Sequence, residues 1–164
     1  SEYKLIFKTF SRIEKFNFIC NIFPASNFNN SNKFSDYINH LNISNVKTVI
    51  NRKYIDLLEK TDLVIIEWPY TALIQAIAAD KQIICLNKYW ELNTKVEKSL
   101  RKRCYFANNN DELFELLKTF ENGHLKKLRN NNFINNYGNY KQDTNSWKRA
   151  YDTIVNEILN DNES

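Results

Sequence analysis

A chain of 164 residues fits one domain, and 43% hydrophobic with 26% charged residues is ordinary for a globular protein that buries a core. The net charge of +4 is modest and both signs are interspersed along the chain, so nothing indicates nucleic-acid binding. No apolar run approaches the length of a membrane span and no signal peptide opens the chain, so we expect a cytoplasmic protein.

The amino-terminal third of the chain predicts strands separated by short helices. Residues 3–10 alternate apolar and polar side chains, and residues 16–23 are rich in aromatic and β-branched side chains, so both segments predict strands. A loop rich in asparagine and serine follows and leads to a short helix over residues 34–41. The pattern continues with a strand over residues 45–50 and a helix over residues 52–60.

Residues 61–86 hold the clearest pattern in the chain. An unbroken apolar run within residues 62–67 is typical of a strand buried on both faces of a parallel sheet, and residues 82–86 form a second such strand. Pro69 ends the first strand, and a helix over residues 71–79 connects it to the second. This order predicts two adjacent parallel strands joined by a crossover helix. Since ligands bind outside the carboxyl ends of strands in open parallel sheets, we expect the binding site where the first strand turns into the helix.

The rest of the chain predicts one short strand among helices. The elements are a basic helix ending near Arg103, a strand over 104–107 and helices over 111–120, 125–136 and 146–159. Asn93 or Thr94 caps the first of these helices, and Asn110 caps the second, which ends at Gly123. The last helix is amphipathic, so we expect the carboxyl-terminal helices to pack back on the domain. All the elements together predict an α/β fold, with a Rossmann-like parallel sheet flanked by helices and residues 1–164 forming one domain.

The residues around the central turn carry a resemblance to a known family. Their order is an acidic residue, a Pro, a Thr and, four places later, an amide residue followed by Ala. In this chain these are Glu67, Pro69, Thr71, Gln75 and Ala76. The order resembles the donor-nucleotide half of glycosyltransferases with the GT-B architecture. It is most similar to the bacterial surface-carbohydrate and capsule transferases and their polyol-phosphate relatives.

The resemblance implies where a sugar nucleotide would bind. In that family the helix N-terminus takes the diphosphate and a Glu takes the ribose hydroxyls, which would place phosphate at Thr71 and ribose at Gln75. Asn51 and Arg52 form the loop after the preceding strand, which can face the nucleotide base. Alternatively, Asn51 is an N-cap and Arg52 is solvated. The candidate nucleotide-binding residues are Pro69, Tyr70, Thr71, Gln75, Asn51 and Arg52.

This chain departs from the family pattern at four positions. Tyr70 stands where Ser is usual, Gln75 replaces Glu, Asp80 replaces Gly and Gln82 replaces Pro. An uncharged Gln bonds a ribose diol more weakly than Glu does. With only two glycines, a Walker P-loop and a G-x-G-x-x-G motif are impossible, but a helix N-terminus binds phosphate without glycine.

The resemblance implies a function in bacterial surface polysaccharide assembly, either capsule or lipopolysaccharide. The chain would be the half of a glycosyltransferase that binds a nucleotide-sugar donor as substrate, with no cofactor and no metal. A separate amino-terminal acceptor domain would supply the catalytic base, so we assign no catalytic residue. Because the chain lacks Met and begins Ser-Glu, we expect one half of a larger enzyme that is inactive alone. The alternatives are a CDP-glycerol-type polyol-phosphate transferase, a sugar-nucleotide epimerase of this architecture, and a non-enzymatic doubly wound interaction domain.

Three further features of the sequence bear on partners. The one dense basic stretch is either a solvated helix face or a peripheral contact with phosphate or the inner membrane face. Its residues are Lys95, Lys98, Arg101, Lys102 and Arg103. The three cysteines have no C-x-x-C spacing, which favours reduced packing thiols over metal ligands or disulfides. Asparagine runs such as residues 108–110 are interpreted as compositional bias.

Overall fold

The computed structural model describes residues 2–22, 31–50, 52–67, 70–87, 91–138, 148, 151 and 152. The chain divides into two compact units, Ser1–Arg129 and Asn130–Ser164. The first unit contains all the strands of the described residues, and the binding site predicted from the sequence lies within it.

The first unit alternates helices with strands. Its elements are α1 (Glu2–Ser11), β1 (Phe18–Ile22), α2 (Ser31–His40), β2 (Val46–Ile50), α3 (Tyr54–Glu59), β3 (Leu63–Ile66), α4 (Thr71–Ala78), β4 (Gln82–Leu86), α5 (Thr94–Leu100), β5 (Tyr105–Ala107) and α6 (Asn110–Glu121). The strands β1 and β2 pair in parallel, and β3, β4 and β5 form a second parallel sheet with β4 in the middle. The predicted α/β, Rossmann-like layout is therefore confirmed.

The central βαβ unit folds as its sequence predicts. In the parallel pair of β3 with β4, Val64 is opposite Ile83, and α4 connects the two strands. All five residues of β4 are buried, which accounts for its apolar run. The helix α4 packs on both strands through its buried residues Leu73, Ala76 and Ile77.

One hydrophobic core connects the two sheets. Its buried members include Ile84 and Leu86 of β4 and Val46 of β2, together with residues from α1, α2 and α6. Because side chains alternate along a strand, Ile83 and Cys85 face the opposite side of β4 and lie outside this cluster. The helix α4 packs on that opposite side, so helices cover both faces of the three-stranded sheet.

The prediction of a strand over residues 3–10 is wrong, because this segment forms the helix α1. Ile6, Phe7 and Phe10 are buried at helical spacing, while Leu5 remains 53% exposed. The buried stripe packs against α6 and β2, and this tertiary contact selects the helix over the local alternation.

The prediction of a helix over residues 125–136 is also largely wrong. Residues 124–131 are irregular, and only the end of the segment is helical, at residues 132–133 and in a π-helical turn at Ile134–Gly138. The carbonyl of Leu125 accepts a hydrogen bond from Gln82 Nε2 at 2.9 Å, and that of Lys126 accepts one from Tyr105 Oη at 2.7 Å. These bonds hold residues 125 and 126 beside the starts of β4 and β5. The predicted packing of the last helix, over 146–159, lies almost entirely outside the described residues.

The predicted helix ends are close to those observed. Asn93, one of the two predicted caps, accepts the backbone N–H of Lys95 and so caps α5. The cap of α6 is Asn109, one residue before the predicted Asn110, and its side chain accepts the N–H of Glu112. Gly123 follows α6 with φ of 73°, a conformation that favours glycine.

Asn45 provides a test of what fixes the connection between α1 and β1. Its Nδ2 donates to the carbonyls of Phe10, Ile13 and Phe16 at 3.1, 2.8 and 3.3 Å. Asn45→Asp keeps the shape but replaces the donor by an acceptor, so we expect the free energy of unfolding to fall by about 1–3 kcal/mol. Urea unfolding measures the change. The matched variant Asn21→Asp, at an exposed position of β1, should leave stability nearly unchanged. Equal midpoints for wild type and Asn45→Asp would contradict this role.

Candidate functional site

The start of α4 lies at the carboxyl edge of the three-stranded sheet, where the sequence predicts the site. Tyr70 is the N-cap residue, with φ of −95° and ψ of −148°, and its side chain makes no capping hydrogen bond. Its carbonyl accepts the N–H of Leu73 at 2.9 Å. The N–H groups of Thr71 and Ala72 precede the first intrahelical bond and have no acceptor within the helix. They are available to an anion.

The helix brings together two of the predicted binding residues. Thr71 and Gln75 are one turn apart and both exposed, while Leu73, Ala76 and Ile77 on the other side are buried. Tyr70, directly before them, is 71% exposed. The burial pattern therefore orients α4 so that the predicted phosphate and ribose residues share its solvent face.

The other predicted residues are not joined to this pair. Pro69 and Asn51 lie outside the described residues. Arg52 is exposed between β2 and α3, and β2 belongs to the other sheet. Although α3 packs against α4, no hydrogen bond or ion pair among the described residues links Arg52 to Thr71 or Gln75. The structure thus brings Thr71 and Gln75 together at the start of α4, and both the site there and the contact with the nucleotide base stay predictions.

Two asparagines, Asn87 and Asn108, lie at the same carboxyl edge. The sequence pattern predicts no binding role for either of them. Asn87 follows β4 and Asn108 follows β5, and Asn87 Nδ2 donates to Asn108 Oδ1 at 3.2 Å. The backbone N–H of Asn108 first, and the side-chain amides of Asn108 and Asn109 next, lower the pKa of Glu112. Ligands bind beyond the carboxyl ends of parallel strands, which is why the sequence predicts a site near Thr71. The same reasoning points to Asn87 and Asn108, because all three residues follow adjacent parallel strands.

The cysteines offer no nucleophile near the site. Burial first, and the nearby carboxylate of Glu67 second, raise the pKa of Cys20 to about 11, so its thiol is protonated at neutral pH. Cys85 and Cys104 are buried, and all three cysteines are free thiols. Among the described residues, no group of three or more His, Cys, Asp or Glu side chains could hold a metal ion.

Asp80 and Gln82, which replace a Gly and a Pro of the family pattern, have structural roles at the opposite, amino edge. Asp80 has φ of 50°, a conformation that glycine adopts freely and that Asp tolerates better than most residues. Its carboxylate pairs with Arg103 Nη2 at 3.3 Å and with Lys127 Nζ at 2.6 Å. Asp80 therefore holds a backbone conformation that glycine would also adopt, and Gln82 supplies a side-chain donor that Pro lacks.

The predicted basic patch is smaller than its sequence suggests. The side chain of Arg103 is fully buried, so it cannot contact a membrane surface. Arg101 pairs with Glu97 at 2.7 Å and lies over the ring of Phe106 at 4.4 Å. Lys95, Lys98 and Lys102 remain exposed. In the part of the chain that the structure describes, no helix combines the length and apolar character needed to cross a bilayer.

Comparisons with protein-family models, with curated proteins and with solved structures gave no match for this chain. Its function is therefore inferred from its residues and their geometry.

The ion pairs of Asp80 predict a pH-dependent contribution to stability. The hydrogen bond from Lys127 first, and the charges of Lys127, Arg103 and Arg129 next, lower the pKa of Asp80 below its ordinary value of 3.8. A lowered folded-state pKa stabilises the fold above the unfolded-state pKa, and this stabilisation is lost as the pH falls through the folded-state value. We expect Asp80→Asn to cost about 1 kcal/mol at neutral pH, since Asp80 is largely exposed and solvent screens the pairs.

Urea unfolding across a pH series tests this expectation. The difference between wild type and Asp80→Asn should persist down to about pH 4, near the reference pKa of Asp, and vanish in stronger acid. Asp62→Asn removes an exposed carboxylate beside the same turn and is the matched control. A difference that did not depend on pH would show that the charge of Asp80 is not what stabilises the turn.

Proposed function

We propose that this chain is the donor-nucleotide-binding half of a GT-B-type glycosyltransferase that builds bacterial surface polysaccharide, either capsule or lipopolysaccharide. The observation that carries the proposal is the start of α4, which has no side-chain cap, at the carboxyl edge of a parallel sheet. Thr71 and Gln75 stand exposed on its free face at the spacing of the family motif.

A diphosphate suits the start of this helix. The first-turn N–H groups and the positive end of the helix dipole both favour an anion, and the Thr71 hydroxyl adds a donor. When the sugar is transferred, negative charge develops on the departing nucleotide diphosphate. Fixed N–H groups at that position stabilise the charge and so favour departure. The buried contacts of Leu73, Ala76 and Ile77 keep the helix from reorienting.

Neutral side chains around this helix start suit the rest of a sugar nucleotide. Gln75, one turn from Thr71, offers an amide to the ribose hydroxyls. Asn87 and Asn108 follow the next two strands along the same edge and offer further amides to the sugar or the base. Hydrogen-bonding groups of this kind orient a ligand, while the helix start holds its charge.

The catalytic base and the acceptor would come from an amino-terminal domain, so the chain alone should bind the donor without transferring it. The protein would act in the cytoplasm, at the inner membrane face if Lys95, Lys98 and Lys102 contact anionic lipid. A polyol-phosphate transferase would use the same diphosphate site with a cytidine nucleotide. Cytidine nucleotides therefore belong in any binding test.

A nucleotide screen followed by calorimetry tests the proposal. Thermal shift against UDP, GDP, CDP, CMP and ADP identifies the ligand, since binding to the folded state raises its apparent stability. Thr71→Asp should weaken binding strongly, because it sets a fixed negative charge against the phosphate. Gln75→Ala should cost about 0.5–1.5 kcal/mol, the value of one neutral hydrogen bond.

Thr94→Asp is the matched control, because Thr94 is also exposed and also occupies the first position of a helix, α5. It should leave the dissociation constant unchanged. If the wild-type chain bound none of the five nucleotides, or if Thr71→Asp bound as tightly as Thr94→Asp, the proposed site would be abandoned.

A further inference from the structure

A polar cavity lies at the amino edge of the three-stranded sheet, away from the start of α4. It has a volume of about 330 Å³ and is open to solvent. Its lining includes Asp62, Asp80, Lys81 and Lys127, from the turns that enter β3 and β4 and the segment after α6. A volume of this size is at the lower end of the range of about 300 to 1,000 Å³ that small-molecule sites occupy.

Arg103 contacts Asp80 in the wall of this cavity and is incompletely partnered. Its side chain is fully buried, and its Nη2 contacts Asp80 Oδ1 at 3.3 Å. Its Nε and Nη1 are buried and have no hydrogen-bond partner among the described residues. A buried guanidinium costs several kcal/mol of desolvation unless its donors are matched by acceptors. The weak contact with one exposed carboxylate leaves much of that cost uncompensated.

Cations and carboxylates line the cavity in equal number, with Lys81 and Lys127 against Asp62 and Asp80. The buried guanidinium of Arg103 adds a positive charge that contacts Asp80. An anion that displaced the Asp80 carboxylate would therefore face three cations, Lys81, Lys127 and Arg103. Asp80 itself is 61% exposed, so its carboxylate can turn towards solvent by side-chain rotation alone.

We propose that this cavity binds the oxyanion group of a small molecule, a phosphate or a carboxylate, through Lys127, Lys81 and the guanidinium of Arg103. The incoming anion takes the place of the Asp80 carboxylate, which acts as an internal competitor. This inference is independent of the proposed nucleotide site, because the two sites lie at opposite edges of the sheet and share no residue.

Titration of the folded chain with inorganic phosphate tests the proposal, with chloride added to hold the ionic strength constant. Amide NMR shifts should change saturably at residues 79–82 and 127–129. Lys127→Gln should weaken binding at least fivefold. Asp80→Asn should tighten binding at least threefold, because it removes the competing carboxylate and keeps a residue that tolerates positive φ. Acetate in a parallel titration separates a general carboxylate site from one that requires phosphate.

Lys47→Gln is the matched control, because it removes the same charge from an exposed side chain of β2, in the other sheet. It should leave phosphate binding unchanged. The proposal is overturned if phosphate does not saturate on the wild-type chain, or if Lys127→Gln and Lys47→Gln weaken binding equally. Equal affinity of the wild type and Asp80→Asn would overturn the competition by Asp80. The wild-type and Lys127→Gln measurements decide the main question even if Asp80→Asn does not fold.

Discussion

The complete burial of β4 is the constraint on which the rest of this fold depends. Every residue of this central strand is buried, so both faces of the sheet must be covered. The core shared with α1 and α6 covers one face, and α4 covers the other. Because α4 connects β3 to β4, its start falls at the carboxyl edge and its end at the amino edge. The positions of the α4 start and of the amino-edge cavity follow from this packing.

The sequence predicted the elements whose local pattern agrees with their packing. The apolar runs of β3 and β4 and the cap at Asn93 indicated the observed structure directly. Residues 3–10 failed because their alternation competes with a helical stripe, and only contact with α6 and β2 decides between the two. Residues 125–136 failed because their carbonyls bond Gln82 and Tyr105, which are distant in sequence.

The start of α4 and the cavity at the amino edge differ in the same way. Local sequence pattern indicates the first, and only tertiary contacts form the second. The resemblance pointed to Thr71 and Gln75, and helical spacing places the two on one face. Asp80 forms ion pairs with Arg103 and Lys127, which are separated from it by 23 and 47 positions along the chain. No local pattern indicates such distant pairs. The burial of Arg103 was likewise hidden, since it ends a basic stretch whose lysines are exposed. Only the folded chain shows that this arginine belongs to the amino edge.

The four residues that differ from the glycosyltransferase pattern lie in two places, two at each edge of the three-stranded sheet. Asp80 and Gln82 lie at the amino edge, where one forms ion pairs at positive φ and the other bonds the Leu125 carbonyl. Their identities are therefore explained by contacts within the fold. Tyr70 and Gln75 lie at the carboxyl edge with exposed side chains, and packing of the core does not require either residue. Under the proposed function, these two substitutions would act on the ligand: an aromatic ring beside the phosphate site and an uncharged amide at the ribose would set which donor this chain accepts.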